Sequence, residues 1–322
     1  MSGCSKRFYS TTFKANEIVL AHLRNLYHDK KSVGSSRMFQ LTETGIFRFK
    51  HFDIMHKHII DRNVQKCVFK LEPENSIDKH RIEVTIKRPS LYEYMSKRTH
   101  VAVPSQYSIV SLVPFLVEID KDKKILESGT GNGFMTVTLS QYLDRNSNGQ
   151  LDTYDIKPVD KPMGFFNDWK NNYNLVSKQK WFDNVNFFSA DVGKHVFTED
   201  LNEFYDIIFL DLAHPEHAIL NVYKLLKPNG ILVLNVMHLT QILKCLKSIE
   251  NENLKLIQEI VIEPSIRLWE IERYASGKPL TDQSDSFLAF KCRVEDPGDS
   301  KSKRDGIFSQ HWPGFLVKFR KI

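Results

Sequence analysis

The sequence predicts an α/β protein in which a mostly parallel sheet of seven strands follows a small, strand-rich N-terminal domain. Three observations support this fold class. Residues 13–86 alternate short apolar strings with Gly, Asn and His, whereas residues 124–236 alternate apolar strings with helical stretches. A glycine-rich turn lies where the first of these later strings ends. Alternating strands and helices favour right-handed crossovers, which place the strands parallel to one another.

The individual elements follow in order along the chain. Residues 88–90 end the strand-rich region, and helices are expected from residue 91 and over residues 105–117. The strands are expected at residues 124–127, 151–155, 185–188, 206–211 and 230–235, with residues 254–262 and 315–319 as closing antiparallel strands. Each of the first five is an apolar run that ends at a polar residue, so these polar side chains lie at the edge where ligands bind in open α/β sheets.

The most specific motif is the glycine-rich turn. Glycines let the backbone approach a ligand without a Cβ in the way, and the helix that follows offers free N–H groups. A dinucleotide fingerprint requires a further glycine where Phe134 stands. The pattern Glu-x-Gly-x-Gly-x-Gly is instead typical of class I, Rossmann-like methyltransferases, whose cofactor S-adenosylmethionine carries no phosphate. The residues expected to bind the cofactor here are Glu127, Gly129, Thr130, Gly131, Asn132 and Gly133.

Acidic residues after the next two strands complete the expected cofactor site. Asp155 ends the second strand, about 25 residues beyond the glycine turn, where its carboxylate can accept hydrogen bonds from both ribose hydroxyls. Asp191, followed by Val192, lies where class I methyltransferases contact the adenine amino group of the cofactor. A solvated turn for Asp155 and a helix N-cap for Asp191 are the alternative interpretations.

Asp211 ends the fourth strand and is the expected catalytic residue. N1 of adenine carries a lone pair and no proton, so its methylation needs no strong base. The product is cationic, and a fixed carboxylate that accepts a hydrogen bond from the exocyclic amine would orient N1 and stabilise the developing charge. A helix-capping acid is the alternative interpretation.

Metal and disulfide chemistry find little support in the sequence. His214 and His217 have the spacing of two ligands on one turn, but no third ligand is evident, so no metal site is predicted and the two residues are interpreted as surface or RNA-facing histidines. The four cysteines, Cys4, Cys67, Cys245 and Cys292, show no metal-ligand spacing and indicate a reducing compartment. No apolar run approaches the eighteen residues of a membrane span.

Charge is distributed unevenly along the 322 residues. Residues 1–100 carry 19 Lys and Arg against 10 Asp and Glu, a balance of +9, whereas residues 101–322 carry 26 against 29, a balance of −3. Seven of the twelve histidines also fall in the first hundred residues. A basic region beside a cofactor domain favours a polyanionic substrate such as RNA.

The first fourteen residues have the composition of a mitochondrial transit peptide. They contain Lys6, Arg7 and Lys14, several Ser and Thr, and no acid precedes Glu17. Arg7-Phe8-Tyr9-Ser10 also resembles a cleavage site of the mitochondrial matrix peptidase. We therefore expect a location in the mitochondrial matrix; a merely polar N-terminus is the alternative.

Four blocks of sequence carry a resemblance to a known family. They are residues 88–94 with Lys97, Arg98 and Pro104; residues 127–133; residues 226–230 followed by 239–242; and residues 311–318. Together they resemble the tRNA adenine-N1-methyltransferase family that modifies the T-loop adenosine at position fifty-eight, and especially its mitochondrial type. The resemblance covers about residues 88–320.

The resemblance implies roles for individual residues. Glu127, Gly129, Gly131, Asp155 and Asp191 would bind S-adenosylmethionine, Asp211 would be catalytic, and Gln241 would lie near the target adenosine. Lys97 and Arg98, in the linker block, would contact the substrate. Family members assemble as tetramers around tRNA, so a homotetramer or a hetero-oligomer with a related subunit is expected.

The chain departs from the family directly after Asp211. Cytosolic members usually continue with Leu-Pro-x-Pro-Trp, whereas this chain reads Leu-Ala-His-Pro-Glu over residues 212–216. The aromatic residue is absent, so the pocket for the target base must differ.

The domain organisation follows from these motifs. We expect a targeting segment at residues 1–14, a basic β-rich RNA-binding domain at 15–87 and a methyltransferase domain at 88–322. The Gly, Ser, Lys and Asp near 294–306 predict a flexible insert.

Three functions remain open at this point. The first is a mitochondrial enzyme that forms N1-methyladenosine in tRNA, with ribosomal RNA as a second candidate substrate. The second is a non-catalytic RNA-binding subunit or ribosome-assembly factor that retains the fold. Glu127, Asp155, Asp191 and Asp211 favour the enzyme. A small-molecule methyltransferase would leave the basic N-terminal domain without a use.

Overall fold

The computed structural model describes residues 11–25, 36–49, 52–71, 82–90, 93–95, 107–144, 147–160, 163–164, 167, 184–264, 269–274, 289–294 and 314–322. The chain divides into two compact units. One comprises residues 1–104 and 120–191, and the other comprises residues 105–119 and 192–322.

The N-terminal part of the first unit is built from antiparallel strands, as the sequence predicts. Its strands are β1 (Ile18–Asn25), β2 (Ser36–Gln40), β3 (Ile46–Phe49), β4 (Phe52–Met55), β5 (Val68–Leu71) and β6 (Ile82–Lys87). Four of them form a sheet in the order β2-β1-β6-β5, while β3 and β4 pair with each other. Alternate residues of β6 are buried, because one face of the sheet covers a core that includes Phe13, Val19 and Ile54.

A buried ion pair ties the two ends of this strand-rich region together. The Arg88 guanidinium, which follows β6, donates to both carboxylate oxygens of Glu17 at 2.9 and 3.0 Å and to the Thr12 carbonyl at 3.0 Å. The Glu17 side chain is only 2% exposed. Because each charge compensates the other inside the protein, loss of either partner would leave an uncompensated buried charge.

The remaining sheet has seven strands in the order β12-β15-β11-β10-β7-β8-β9. Their bounds are β7 (Lys124–Ser128), β8 (Gln150–Asp155), β9 (Val185–Ser189), β10 (Tyr205–Leu210), β11 (Leu226–Val236), β12 (Leu256–Ile262) and β15 (Phe315–Lys321). β7, β8 and β9 pair in parallel, as do β10 and β11, whereas β15 runs antiparallel to β11 and β12. The predicted α/β fold class and all seven expected strands are confirmed.

Buried runs distinguish the central strands from those of the N-terminal region. In β7 and β10, nearly every residue is buried rather than every second one. This pattern is typical of parallel strands that are covered on both faces.

Helices follow the strands in the expected places. The structure has α1 (Tyr107–Leu116), α2 (Phe134–Ser140), α3 (Ile219–Leu225) and α4 (Leu239–Asn251). Residues 93–95 are also helical. Among the described residues, no helix combines the length and the hydropathy that crossing a bilayer requires.

One hairpin was not predicted from the sequence. Strands β13 (Trp269–Tyr274) and β14 (Ala289–Val294) pair antiparallel as a separate two-stranded sheet. Residues 1–10 of the expected targeting segment lie outside the described residues. The expected insert near 294–306 also lies outside them from residue 295 onward. Both, like the domain boundaries, stay predictions.

Candidate functional site

The glycine turn has a backbone that requires glycine. After β7 ends at Ser128, the residues Gly129, Gly131 and Gly133 adopt φ angles of 100°, 53° and 79°. L-residues rarely adopt such angles, because their Cβ collides with the backbone. The turn therefore has no side chain at three positions, of which Gly129 and Gly131 are partly exposed and Gly133 is buried, and α2 begins directly after Gly133.

The Asp155 carboxylate fixes the shape of this turn. Its Oδ2 accepts a hydrogen bond from the Gly131 N–H at 2.8 Å, and its Oδ1 accepts one from the Lys157 N–H at 2.9 Å. The Gly129 N–H also donates to the Tyr154 carbonyl at 2.8 Å. Each carboxylate oxygen keeps a second lone pair that can accept from a ligand hydroxyl. Asp155 thus has a structural role that the sequence did not reveal, beside the predicted ribose contact.

Side chains within the turn hold it from inside. The hydroxyls of Thr130 and Thr153 lie 2.6 Å apart, and both residues are buried. Asn132 Oδ1 accepts from the Phe134 N–H at 3.0 Å, which satisfies one free donor at the start of α2. The Glu127 side chain is fully buried at the end of β7. The three glycines, the polar side chains and the Asp155 carboxylate fit an uncharged, adenosyl-type group. None of these residues carries the positive charge that would favour a phosphate.

Asp191 and Val192 follow β9. Asp191 is partly exposed, while Val192 is buried. The Val192 carbonyl accepts from Asn221 Nδ2 at 2.7 Å, and the same amide donates to the His195 carbonyl at 2.9 Å. Asn221, on α3, therefore fixes the segment that starts at Val192. This residue was missed because a helical Asn gives no sign of its distant partner.

In the second unit, Asp211 lies directly after β10. Asp211 is partly exposed as a residue, yet burial of its carboxylate raises the pKa to about 6, and a hydrogen bond from the Asn235 side chain opposes this rise. Leu210 pairs with Leu234 in the parallel register of β10 and β11, so Asp211 and Asn235 are the next residues on the two strands. The sequence predicted the acid, but not its partner.

Gln241 holds the segments that follow these two strands. Its Nε2 donates to the Ala213 carbonyl at 2.8 Å, and its Oε1 accepts from the N–H groups of Met237 and His238, both at 2.9 Å. Both ends of the amide are thus bonded to the backbone. The geometry assigns Gln241 a positioning role, while its predicted contact with the target adenosine stays a prediction.

Glu216 supplies the third group that the sequence analysis did not find beside His214 and His217. Potential ligand atoms of the three residues all lie within 4.8 Å of one another. Glu216 Oε1 lies 3.3 Å from His214 Nδ1 and 3.8 Å from Lys244 Nζ. Burial alone would raise the Glu216 pKa, but its backbone N–H, His214 and Lys244 bring the pKa below its ordinary value. The carboxylate charge is therefore compensated by protein groups.

Two expected substrate residues cannot be placed. Lys97 and Arg98 lie outside the described residues. Their contact with RNA stays a prediction.

The fold and the glycine turn define a class I S-adenosylmethionine-dependent methyltransferase. A tRNA (m1A58) methyltransferase TrmI structure from Aquifex aeolicus has a TM-score of 0.61 at 18% identity, covering 97% of this chain and 99% of that one. An S-adenosylmethionine-dependent O-methyltransferase from Thermotoga maritima has a TM-score of 0.65 at 15% identity, covering 97% and 96%. At these identities, the likeness shows the fold.

The family is shown by sequence. The profile described as tRNA methyltransferase complex GCD14 subunit matches residues 82–284, which are 203 of the 322 residues. The chain belongs to this family, and its cofactor is S-adenosylmethionine. A tRNA (adenine(58)-N(1))-methyltransferase TrmI from Thermus thermophilus is 27% identical over 195 residues, 59% of this chain and 68% of the relative.

Replacing Asp155 tests the cofactor site. We expect Asp155→Ala to weaken S-adenosylmethionine binding about ten- to hundredfold, because hydrogen bonds to a charged acceptor contribute about 1.5–3 kcal/mol and the turn also loses its anchor. Titration calorimetry measures the change. Asp120→Ala is the control, since that carboxylate accepts a local backbone bond from the Lys121 N–H ahead of β7, at the opposite end of the strand from the turn. Unchanged affinity in a folded Asp155→Ala protein would contradict the assignment.

Proposed function

We propose that this protein transfers a methyl group from S-adenosylmethionine to N1 of an adenosine in the T-loop of tRNA. The observation that carries the proposal is the placement of Asp211 directly after β10, beside Asn235 of the neighbouring strand β11, with partial burial of its carboxylate raising its pKa to about 6. The names of the relatives in Aquifex and Thermus support the same reaction. A second candidate substrate is ribosomal RNA, which offers the same base.

The chemistry asked of the protein is orientation and charge stabilisation. S-adenosylmethionine supplies the methyl group on a sulfonium that is already activated. Adenine N1 would attack the methyl carbon with its own lone pair while the methyl–sulfur bond breaks, so that neutral S-adenosylhomocysteine leaves and the ring becomes cationic. An ionised Asp211 that accepts a hydrogen bond from the exocyclic amine stabilises this charge, and it does so more effectively where water is excluded. The carboxylate form is required, so transfer should fall as the pH drops through about 6.

We infer that the protein is catalytic rather than a subunit that has lost turnover. The glycine turn retains its three positive φ angles, and Asp155 retains its contact with that turn. Asp211 is retained with a dedicated hydrogen-bond partner. A chain that served only as a scaffold would need none of these features. Assembly as a homotetramer, or with a related subunit as the family name suggests, is part of the proposal.

We also propose that the N-terminal strands bind RNA. Lys57, Lys66 and Lys70 are exposed in this region. Two arginines lie over aromatic rings, Arg62 at 4.6 Å from the Phe69 centroid and Arg37 at 5.2 Å from the Phe49 centroid. Exposed cations beside aromatic faces suit the phosphates and bases of RNA.

Methyl transfer by the Asp211→Ala variant tests the proposed reaction. We expect the rate of single-turnover transfer to T-loop RNA to fall about a hundredfold to a thousandfold, as for loss of a preorganised group worth about 2.7–4 kcal/mol. The affinity for S-adenosylmethionine should stay near that of the wild type. A variant with wild-type turnover would show that Asp211 is only structural. Wild-type protein that binds cofactor and RNA without methylating either RNA would support the non-catalytic alternative.

The salt dependence of RNA binding tests the basic domain. Each lost phosphate contact should reduce the slope of log affinity against log salt by about 1. We expect the triple variant Lys57→Gln, Lys66→Gln, Lys70→Gln to show a shallower slope on a tRNA transcript. The control replaces Lys121, Lys247 and Lys255, which are also exposed and change the net charge equally. Equal slopes for both triple variants would remove the assignment of RNA binding to this region.

We further propose a mitochondrial matrix location from the composition of residues 1–14. A reporter fused after this segment should enter mitochondria, and Arg7→Ala should impair processing because the peptidase reads that arginine. Lys6→Ala, which removes a neighbouring charge, should be processed normally. Cytosolic reporter, or mature protein that still begins at Met1, would contradict the location.

A further inference from the structure

Asn235 is the side chain that links Asp211 to the neighbouring strand. An ionised carboxylate can only accept hydrogen bonds, so the amide nitrogen of Asn235 must be the group that bonds Asp211. This fixes the orientation of the amide. Its Oδ1 atom consequently takes no part in the bond to Asp211.

Asn235 Oδ1 is a buried acceptor without a protein partner among the described residues. Buried polar atoms in native structures are almost always hydrogen-bonded, and the exceptions often mark a functional site. One of the exceptions among the described residues thus belongs to the residue that holds the proposed catalytic acid.

Gly314 leaves the space beside this oxygen open. It directly precedes β15, where Phe315 pairs with Val236. A Cβ at position 314 would lie 3.4 Å from Asn235 Oδ1 and 3.2 Å from the Val236 carbonyl oxygen. Glycine therefore keeps a side chain from covering the acceptor.

The surrounding backbone is held rigidly. Gln241 bonds the Ala213 carbonyl on one side and the N–H groups of Met237 and His238 on the other. The segments after Asp211 and after Asn235 are thus fixed to each other, which preorganises the two side chains before any substrate binds.

We propose that Asn235 is a specificity residue for the target base, whose Oδ1 accepts a hydrogen bond from the exocyclic amine of adenine while its amide N–H positions Asp211. The inference rests on the proposed function and names how the base is selected. The amine has two N–H groups, and Asp211 and Asn235 offer two acceptors. Guanine carries a carbonyl oxygen at the same place, which two acceptors repel.

A chemical double-mutant cycle tests this assignment. Single-turnover methyl transfer is measured on T-loop RNA with either adenosine or purine riboside, which retains N1 but lacks the amine, at the target position. We expect the wild type to be at least about tenfold faster on adenosine. Asn235→Leu should lower the rate on adenosine at least about tenfold but have a much smaller effect on purine riboside, because the two changes remove the same contact.

The pH dependence of methyl transfer is a second measurement, and it would not change if Asn235 had only a structural role. Loss of the donor to Asp211 should shift the half-maximal pH of transfer upward from its wild-type value. Among the described residues, the titratable groups close to this segment include His214, Glu216, His217 and Lys244, and Glu216 lies near both His214 and Lys244. His214→Gln should leave the acidic limb of the profile in place, which assigns that limb to Asp211.

Asn186 provides a matched control. Its Nδ2 donates to Asp152 Oδ1 at 2.7 Å between the neighbouring strands β8 and β9, so Asn186→Leu breaks the same kind of pair elsewhere. We expect wild-type rates and an unchanged pH profile. S-adenosylmethionine affinity and thermal unfolding confirm that each variant is folded.

If Asn235→Leu fails to fold, Gly314→Ala tests the same oxygen. The added methyl would lie at contact distance, 3.4 Å, from Oδ1 and would cover this acceptor while leaving the Asp211 bond. Discrimination between the two bases should therefore shrink without a shift of the pH profile. If the folded variants keep the wild-type ratio of the rates on adenosine and purine riboside, or lose rate equally on both, the proposed role of Asn235 is overturned. The proposed function would stand in that case. Wild-type protein that methylates neither RNA would overturn the proposed function, and this inference with it.

Discussion

The hydrogen bond from the Gly131 N–H to the Asp155 carboxylate is the interaction on which the shape of the cofactor turn depends. Position 131 has a positive φ and is occupied by glycine, so it has no side chain that could anchor the turn. An acceptor from the end of β8 fixes it instead, and the Lys157 N–H bonds the other oxygen of the same carboxylate. One acid therefore sets the geometry of two loops. It also explains why the acid has to lie at the end of the adjacent strand.

The second unit solves a similar problem with an amide. Backbone groups beyond β10 and β11 lie outside the sheet and still need partners. Gln241 accepts from two N–H groups and donates to one carbonyl, which uses both ends of a neutral side chain. A carboxylate at this position could not donate to the Ala213 carbonyl. The choice of Gln follows from the pattern of donors and acceptors that the loops present.

The sequence was sufficient to predict the fold class and the main sheet. All seven strands of the main sheet could be predicted because most of them are short apolar segments that end at a polar residue. The glycine turn and the acids after the strands could be found because their chemistry is local. The β13–β14 hairpin was missed, since apolar and charged residues alternate over only residues 269–272 before a second consecutive charged residue, Arg273, interrupts the pattern.

Partners distant in sequence explain most of what was missed in the site. Asn235 meets Asp211 only because β10 and β11 pair in a particular register. Asn221 meets the Val192 carbonyl across 29 residues for a similar reason. Glu216 is close to His214 in sequence, yet its link to Lys244 depends on where α4 packs. No local sequence pattern predicts such side-chain pairs, so they could be identified only once the strand order was known.

The departure after Asp211 fits the polar character of this region. Where the family resemblance expects Trp, the chain has Glu216, and the structure shows that residue paired with His214 and Lys244. A charged cluster cannot replace the flat apolar face that an indole offers a base. Recognition of adenine must then depend more on directed hydrogen bonds than on stacking at this point. In the proposed arrangement, Asp211 and Asn235 provide an ionised and a neutral acceptor, and loss of the aromatic residue and gain of a second acceptor would then belong to one change in how the base is held.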